Sequence, residues 1–268
     1  MNEIRAYFGF TAEPCTREIR VDHHFRLQPY DEALEALLDT VQRRQSAALI
    51  APAGTGKSQL LRALVDRLPE ARYRVRYVKV TDLSKRDMCR EIACALGCEP
   101  KGSYNWLVRV VQDHFANHFD VDGVRPVLIL DEAHDMRPDV LGLLRVLTNY
   151  DMDSRLVLSV VLAGQPELAA MLRKPQLEAI ARRIAHYATL RTLSRDETAR
   201  YVEHRCVVAG ATELPFDGAS LDAVYEIGGG NLRATDRLVS KALHLAAKAD
   251  AKVVDTTHVV NARRNLWP

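Results

Sequence analysis

The stretch APAGTGKS, Ala51–Ser58, constrains this chain more than any other. It follows the apolar run Ala47–Ile50 and leads into the helical pattern QLLRALVDRL. A buried strand, a glycine-bearing loop and a helix start in direct succession make a phosphate cradle. Gly54 and Gly56 let the backbone turn its N–H groups onto phosphate oxygens. The positive end of the following helix dipole adds to that attraction. Lys57 supplies a compact cation for the outer phosphates, and Ser58 offers a hydroxyl to Mg2+. Ala53, Thr55 and Gln59 complete the set expected to touch ATP. Ala51 stands where the strict pattern has glycine. A glycine-rich turn with an incidental lysine is the competing reading, and the strand–loop–helix context argues against it.

A second motif supports the first. VLILDEAH, Val127–His134, is four apolar residues followed by adjacent carboxylates. Asp131, at the end of a buried strand, is the candidate Mg2+ ligand. Glu132 is the candidate base for an attacking water. After the next apolar run, LAGQPEL places Gln165 where a polar side chain can sense a γ-phosphate; a plain turn residue before Pro166 is the alternative. AIARRIAHY offers Arg182 and Arg183 as transition-state arginines, and GGNLRATDRL offers Arg233. DEAH also resembles a helicase box, but the chain is too short for the second RecA-like domain such a helicase needs. His134 reads as a local helix-start or interface residue.

Apolar runs at 47–51, 75–80, 126–131, 156–164 and 186–190 alternate with amphipathic helical patterns. That alternation predicts a parallel sheet covered by helices on both faces. Past Leu193 the strand signal fades. SRDE, Ser194–Glu197, is a capping box; helical periodicity follows through TARYVEHRCVVAG, closed by Gly210, and further helical patterns fit 220–227, 232–248 and 257–265. The expectation is an α/β nucleotide-binding domain over 1–192, with an entry segment and helix at 1–45, and a small all-helical lid over 193–268.

Composition excludes little. The net charge is +2 and 47% of residues are hydrophobic, so nucleic-acid binding would need a local patch. The N-terminus carries charges where a signal peptide needs an apolar core, and no apolar run approaches the roughly 20 residues of a membrane span. Cys89, Cys94 and Cys98 fall in one predicted helix, with Cys94 and Cys98 on one face; no ligand pattern accompanies them, so the cysteines read as buried, reduced thiols. These features point to the cytoplasm and to no membrane.

Taken in order, APAGTGKS, VLILDEAH, LAGQPEL, ARRI and GNLRATDRL resemble the AAA+ ATPases of the ExeA-like group. The transposition regulators TnsC, IstB, TniB and MuB are similar in organisation. The opening YFGFTAEPCTREI also resembles the ExeA-like N-terminus. The resemblance implies an AAA+ P-loop fold with a helical lid, Mg2+-dependent ATP hydrolysis and self-assembly into a ring or helical filament. Arg183 then matches an arginine finger, with Arg182 competing, and Arg233 matches a lid arginine that contacts ATP. Secretion-type ExeA proteins continue into a membrane span and a wall-binding region, which this sequence lacks, so the mobile-element form is favoured. That form implies sequence-nonspecific binding to double-stranded DNA and a DDE transposase partner. Lys79, Lys85, Arg86 and Arg90 lie in the segment where transposition ATPases face DNA, and Lys101 and Tyr104 follow; a solvated helix face remains the alternative. The second function carried forward is an ExeA-like, nucleotide-switched protein-interaction ATPase working without DNA. An initiator-type loader is a third, disfavoured because it normally carries a winged-helix domain.

Overall fold

The computed structural model describes residues 2–264. A short helix α1 (Asn2–Phe8) precedes α2 (Gln28–Gln42), β1 (Ser46–Ile50), α3 (Lys57–Asp66) and β2 (Tyr73–Lys79). Then come α4 (Lys85–Leu96), α5 (Tyr104–Asp120), β3 (Arg125–Asp131), α6 (Pro138–Leu147), β4 (Ser159–Gly164), α7 (Pro166–Leu172), α8 (Glu178–Ala181) and β5 (Ile184–Thr189). Helices α9 (Arg195–Val208), α10 (Gly218–Gly228), α11 (Leu232–Lys248) and α12 (Thr256–Arg264) follow. Asn265, the expected last residue of the final helix, lies outside the described residues. By contact, the chain forms two compact units: one spans 28–53 and 57–190, the other takes the segment up to Leu27, Gly54–Gly56 and the segment from Arg191 on.

In the first unit five described strands form one parallel sheet in the order β2-β3-β4-β1-β5. Its central strands are apolar on both faces because helices cover both. Ala48, Leu128, Leu130, Val160 and Leu162 join α4, α5 and α6 in one core. On the opposite face α2 packs against β1, β5 and α3. The alternation read from the sequence therefore gives the observed fold class. One strand starts later than expected: Leu156 is 48% exposed, and the β3–β4 ladder begins at Val127 and Ser159, one residue past Pro126, which has no N–H to donate.

The sheet order positions the chemistry. Strand β4 lies between β1 and β3, so the loops leaving these three strands emerge side by side at the carboxyl edge. The Ala51 N–H donates to the Gly164 carbonyl at 3.0 Å, joining the phosphate loop to the end of β4. This is the edge at which open parallel sheets bind ligands.

The second unit is helical. The sequence assigned residues 1–45 to the nucleotide-binding domain, and the segment up to Leu27 departs from that. Ile4 and Phe10 are buried in a core with Val202, Phe216, Leu238 and Val259. Arg205 Nη2 donates to the Thr16 carbonyl at 2.5 Å, and the Phe25 ring meets Tyr201 edge-on. Apolar residues without strand or long-helix periodicity are buried here by a core that forms more than 180 residues downstream. The cysteines also differ from expectation. Helix α4 ends at Leu96 with Gly97 left-handed, so Cys98 leaves the face shared with Cys94 and lies 3.4 Å from His114 Nδ1. Cys94 is exposed; Cys89 and Cys206 are buried. No helix among the described residues is long and apolar enough to cross a membrane.

The capping box forms as read: the Ser194 side chain accepts from the Glu197 N–H, and Glu197 accepts from the Ser194 N–H. Two hydrogen bonds from Arg191, at 2.7 and 2.8 Å, complete the carboxylate's partners. Chiefly through Arg191, the Glu197 carboxyl is held down from the usual 4.5 to about 2. A depressed folded-state pKa stabilises above the unfolded value and is lost as pH falls through the folded one. Glu197→Gln should therefore lower thermal stability at neutral pH, and the gap from wild type should close as pH falls from about 4.5 towards 2. Melting curves across that range check it; a pH-independent gap would remove the ionised carboxylate as the cause.

Candidate nucleotide site

Strand β1 ends at Ile50, and the loop turns through Gly54 (φ +78°) and Gly56 (φ +98°) before α3 begins at Lys57. Both angles lie where a Cβ is strained, so glycine is needed at each. Thr55 is buried, while Ala53 and Ser58 are exposed and Gln59 is half-buried. Lys57 starts the helix with its side chain only 8% exposed. Its Nζ lies 2.9 Å from Glu132 Oε2 and 3.6 Å from Asp131 Oδ1. A buried ammonium needs such partners, because desolvation of an isolated cation costs several kcal/mol.

Asp131 closes β3 and is almost fully buried. Its Oδ1 accepts the Glu132 N–H at 2.9 Å, and its Oδ2 accepts the Tyr77 hydroxyl at 3.0 Å. The sequence reading missed Tyr77, which comes from β2 two residues before Lys79, the register partner of Asp131. Burial, then the Asp131 charge, pushes the Tyr77 phenol up, so it stays a proton donor. Glu132 breaks the strand with a left-handed backbone, φ 57° and ψ 35°, an uncommon conformation for a side-chain-bearing residue. The turn sends its carboxylate to Lys57 while Asp131 keeps the strand direction.

Gln165 follows β4 at the N-cap position of α7, without a side-chain capping hydrogen bond, and Pro166 is next. Its amide nitrogen lies 2.6 Å from His134 Nε2. Arg183 is not free: two hydrogen bonds, 2.6 and 2.5 Å, tie it to Asp153, whose carboxyl they hold below its usual value. Asp153 ends a run of three positive-φ residues with Asp151 and Met152. Met152, at the tip, is 97% exposed. The Arg182 side chain is 77% exposed and pairs with Glu178 one turn away. Within the helical unit the Arg233 backbone N–H donates to the Gly54 carbonyl at 3.2 Å, and its side chain is exposed.

The expected DNA-facing residues do not form one basic field. Lys85 pairs with Asp139 at 3.9 Å, Arg90 pairs with Asp87, and Lys101 pairs with Glu99. Arg86 donates to the Gly102 carbonyl at 3.0 Å. Lys79 is exposed at the end of the edge strand, and Tyr104 packs against the core.

One lysine faces two carboxylates, leaving a local excess of negative charge. Asp131 and Ser58 offer hard oxygen donors of the kind Mg2+ takes. The donor set therefore fits the Mg2+ that accompanies ATP. When bound, the ion would neutralise charge on the phosphate oxygens.

The AAA domain family matches residues 39–172, half of the chain. The chain belongs to the AAA family. It is an AAA+ ATPase, with the fold the sheet and phosphate loop require. It is 31% identical over 252 residues to general secretion pathway protein A of Aeromonas hydrophila, covering 92% of this chain but only 46% of that protein. Among solved structures it resembles Cdc6p from Pyrobaculum aerophilum (TM-score 0.74, 17% identity, 94% of this chain and 70% of that one). It also resembles Aeropyrum pernix ORC1 in complex with DNA (0.72, 17%, 96% and 69%). The RuvB Holliday junction branch migration motor of Thermotoga maritima is a third (0.62, 16%, 90% and 70%). At these identities the structures share the fold.

Tyr77→Phe tests the second anchor of Asp131. Losing a hydrogen bond to a charged acceptor should raise the free Mg2+ needed for half-maximal ATP hydrolysis about tenfold or more. Titration of Mg2+ at fixed ATP checks it. An unchanged half-point would place Tyr77 outside the site.

Proposed function

We propose that this AAA+ ATPase is a nucleotide-switched assembly factor. Copies of the chain associate when ATP and Mg2+ are bound and separate after hydrolysis. The observation that carries this reading is the buried Lys57–Asp131–Glu132 centre. It couples a phosphate-binding cation directly to the base candidate, so phosphate binding and release of Glu132 are one event. Arg183 or Arg182 would reach the nucleotide of a neighbouring copy, as an arginine finger supplied in trans. Arg233 would contact ATP from the helical unit.

Duplex DNA is the partner in the first version of this reading: the protein assembles on DNA without sequence preference and selects targets for, or activates, a DDE transposase. Exposed Lys79 and Arg86 and the fold shared with a DNA-bound ORC1 support it. The second version has protein partners alone, in a secretion-type assembly. The likeness to general secretion pathway protein A favours it, as does the pairing of Lys85, Arg90 and Lys101 with acids.

Co-sedimentation with duplex DNA, with and without ATP and Mg2+ and at two salt concentrations, separates the two. ATP-dependent pelleting that weakens with salt supports DNA, since phosphate contacts release counterions. No binding in either nucleotide state supports the protein-only version. Lys57→Ala should abolish nucleotide binding, and Glu132→Gln should bind ATP and accumulate as an assembly. Arg183→Ala should lose hydrolysis on the order of a hundredfold. Mixing it with Glu132→Gln should restore part of the rate, because each variant supplies what the other lacks. Failure of the mixture to exceed either variant alone would rule out Arg183 acting in trans; the same mixture made with Arg182→Ala then tests its neighbour.

A further inference from the structure

We propose that His134 is a positioning residue that connects Gln165 to Glu132, so that contact with the terminal phosphate aligns the base. The inference rests on the reading of Glu132 as base and Gln165 as phosphate sensor.

The contacts form a chain across two neighbouring strands. The His134 side chain is 11% exposed, just past the left-handed turn at Glu132. Its Nε2 lies 2.6 Å from the Gln165 side-chain nitrogen. Its Nδ1 lies 3.5 Å from Glu132 Oε2, the same oxygen that Lys57 holds at 2.9 Å. Two other groups face the ring: Asp135 Oδ1 at 3.7 Å from Nε2 and the Gln165 backbone N–H at 3.4 Å from Nδ1. The Gln165 backbone N–H and Glu132 thus meet the same ring nitrogen, and the side-chain contact at Nε2 is the shortest the ring makes.

The hydrogen count gives the link a direction. An amide nitrogen carries two hydrogens. One donated to His134 Nε2 makes that atom the acceptor in this contact. The second amide hydrogen is left to reach a phosphate oxygen. His134 thereby fixes the orientation of the Gln165 amide while its ring lies against the base. When phosphates draw Lys57 away from Glu132, the His134 ring stays beside that carboxylate and limits where it can turn.

The backbone is built for this approach. Gly164, the last residue of β4, lies so close to the turn after β3 that an added Cβ would meet the His134 backbone N at 3.2 Å and Leu168 at 2.8 Å. A side chain there would push the His134 turn away from Gln165. Glycine at this strand end is needed for proximity and not for a positive φ.

The test is a double-mutant cycle on single-turnover ATP hydrolysis, with nucleotide affinity measured separately by fluorescent ATP titration. His134→Ala should lower the rate about tenfold or more while the dissociation constant stays within twofold. Gln165→Ala should also be slow, and the double variant no slower than the slower single, because both break one chain. A rate within twofold of wild type in His134→Ala, or a double variant slowed by the product of the two singles, overturns the proposal. Should His134→Ala fail to fold, the same cycle is run in His134→Asn, which fills the space but cannot span both partners, and the same rates decide it. Glu132→Gln separates the levels. If it hydrolyses normally, the reading of the base fails; if it is inactive while His134→Ala is normal, only the link fails.

Discussion

The buried ammonium of Lys57 between Asp131 and Glu132 is the interaction on which the rest of the molecule depends. Each charge there is expensive to remove from water, and each is tolerable only because the others are in place. Lys57 needs a helix that starts as the phosphate loop ends. Asp131 needs a buried strand that stops at the same level. Glu132 needs a turn tight enough to require a left-handed residue. The fold delivers these three conditions at one point, and a bound polyphosphate would compete with Glu132 for the same lysine.

Strand order makes that point possible. With β4 between β1 and β3, the phosphate loop, the Gln165 turn and the Asp131–Glu132 turn emerge next to one another. Parallel strands need long crossovers, so these neighbours in space are far apart in the chain. The close approach of Gly164 to the His134 turn binds the middle and outer loops of the group together.

Arg183 shows a different use of charge. It is clamped by Asp153 at the end of a loop with three successive positive-φ residues. Side-chain-bearing residues in that region cost of order 1–3 kcal/mol each and persist where surrounding contacts hold them. Arg182, in contrast, is on the surface with a local partner. The adjacent arginines are equivalent in the sequence and unlike in the structure.

The sequence by itself determined the parallel α/β fold and the helices past Leu193, and it singled out the glycine loop before Lys57 and the Asp131–Glu132 strand end as the candidate site. Local patterns suffice for these: alternation of apolar runs, glycines beside a lysine at a helix start, a serine three residues before a glutamate. Tertiary structure alone decided which distant residues complete them. Tyr77 reaches Asp131 because of strand register, His134 meets Gln165 because two strand ends converge, and the segment up to Leu27 joins the helical unit because its core is there to bury Ile4 and Phe10. None of these partners lies within a helix turn or a strand repeat of the other. Periodicity reports which face of an element is buried, and it carries no information about what that face will touch.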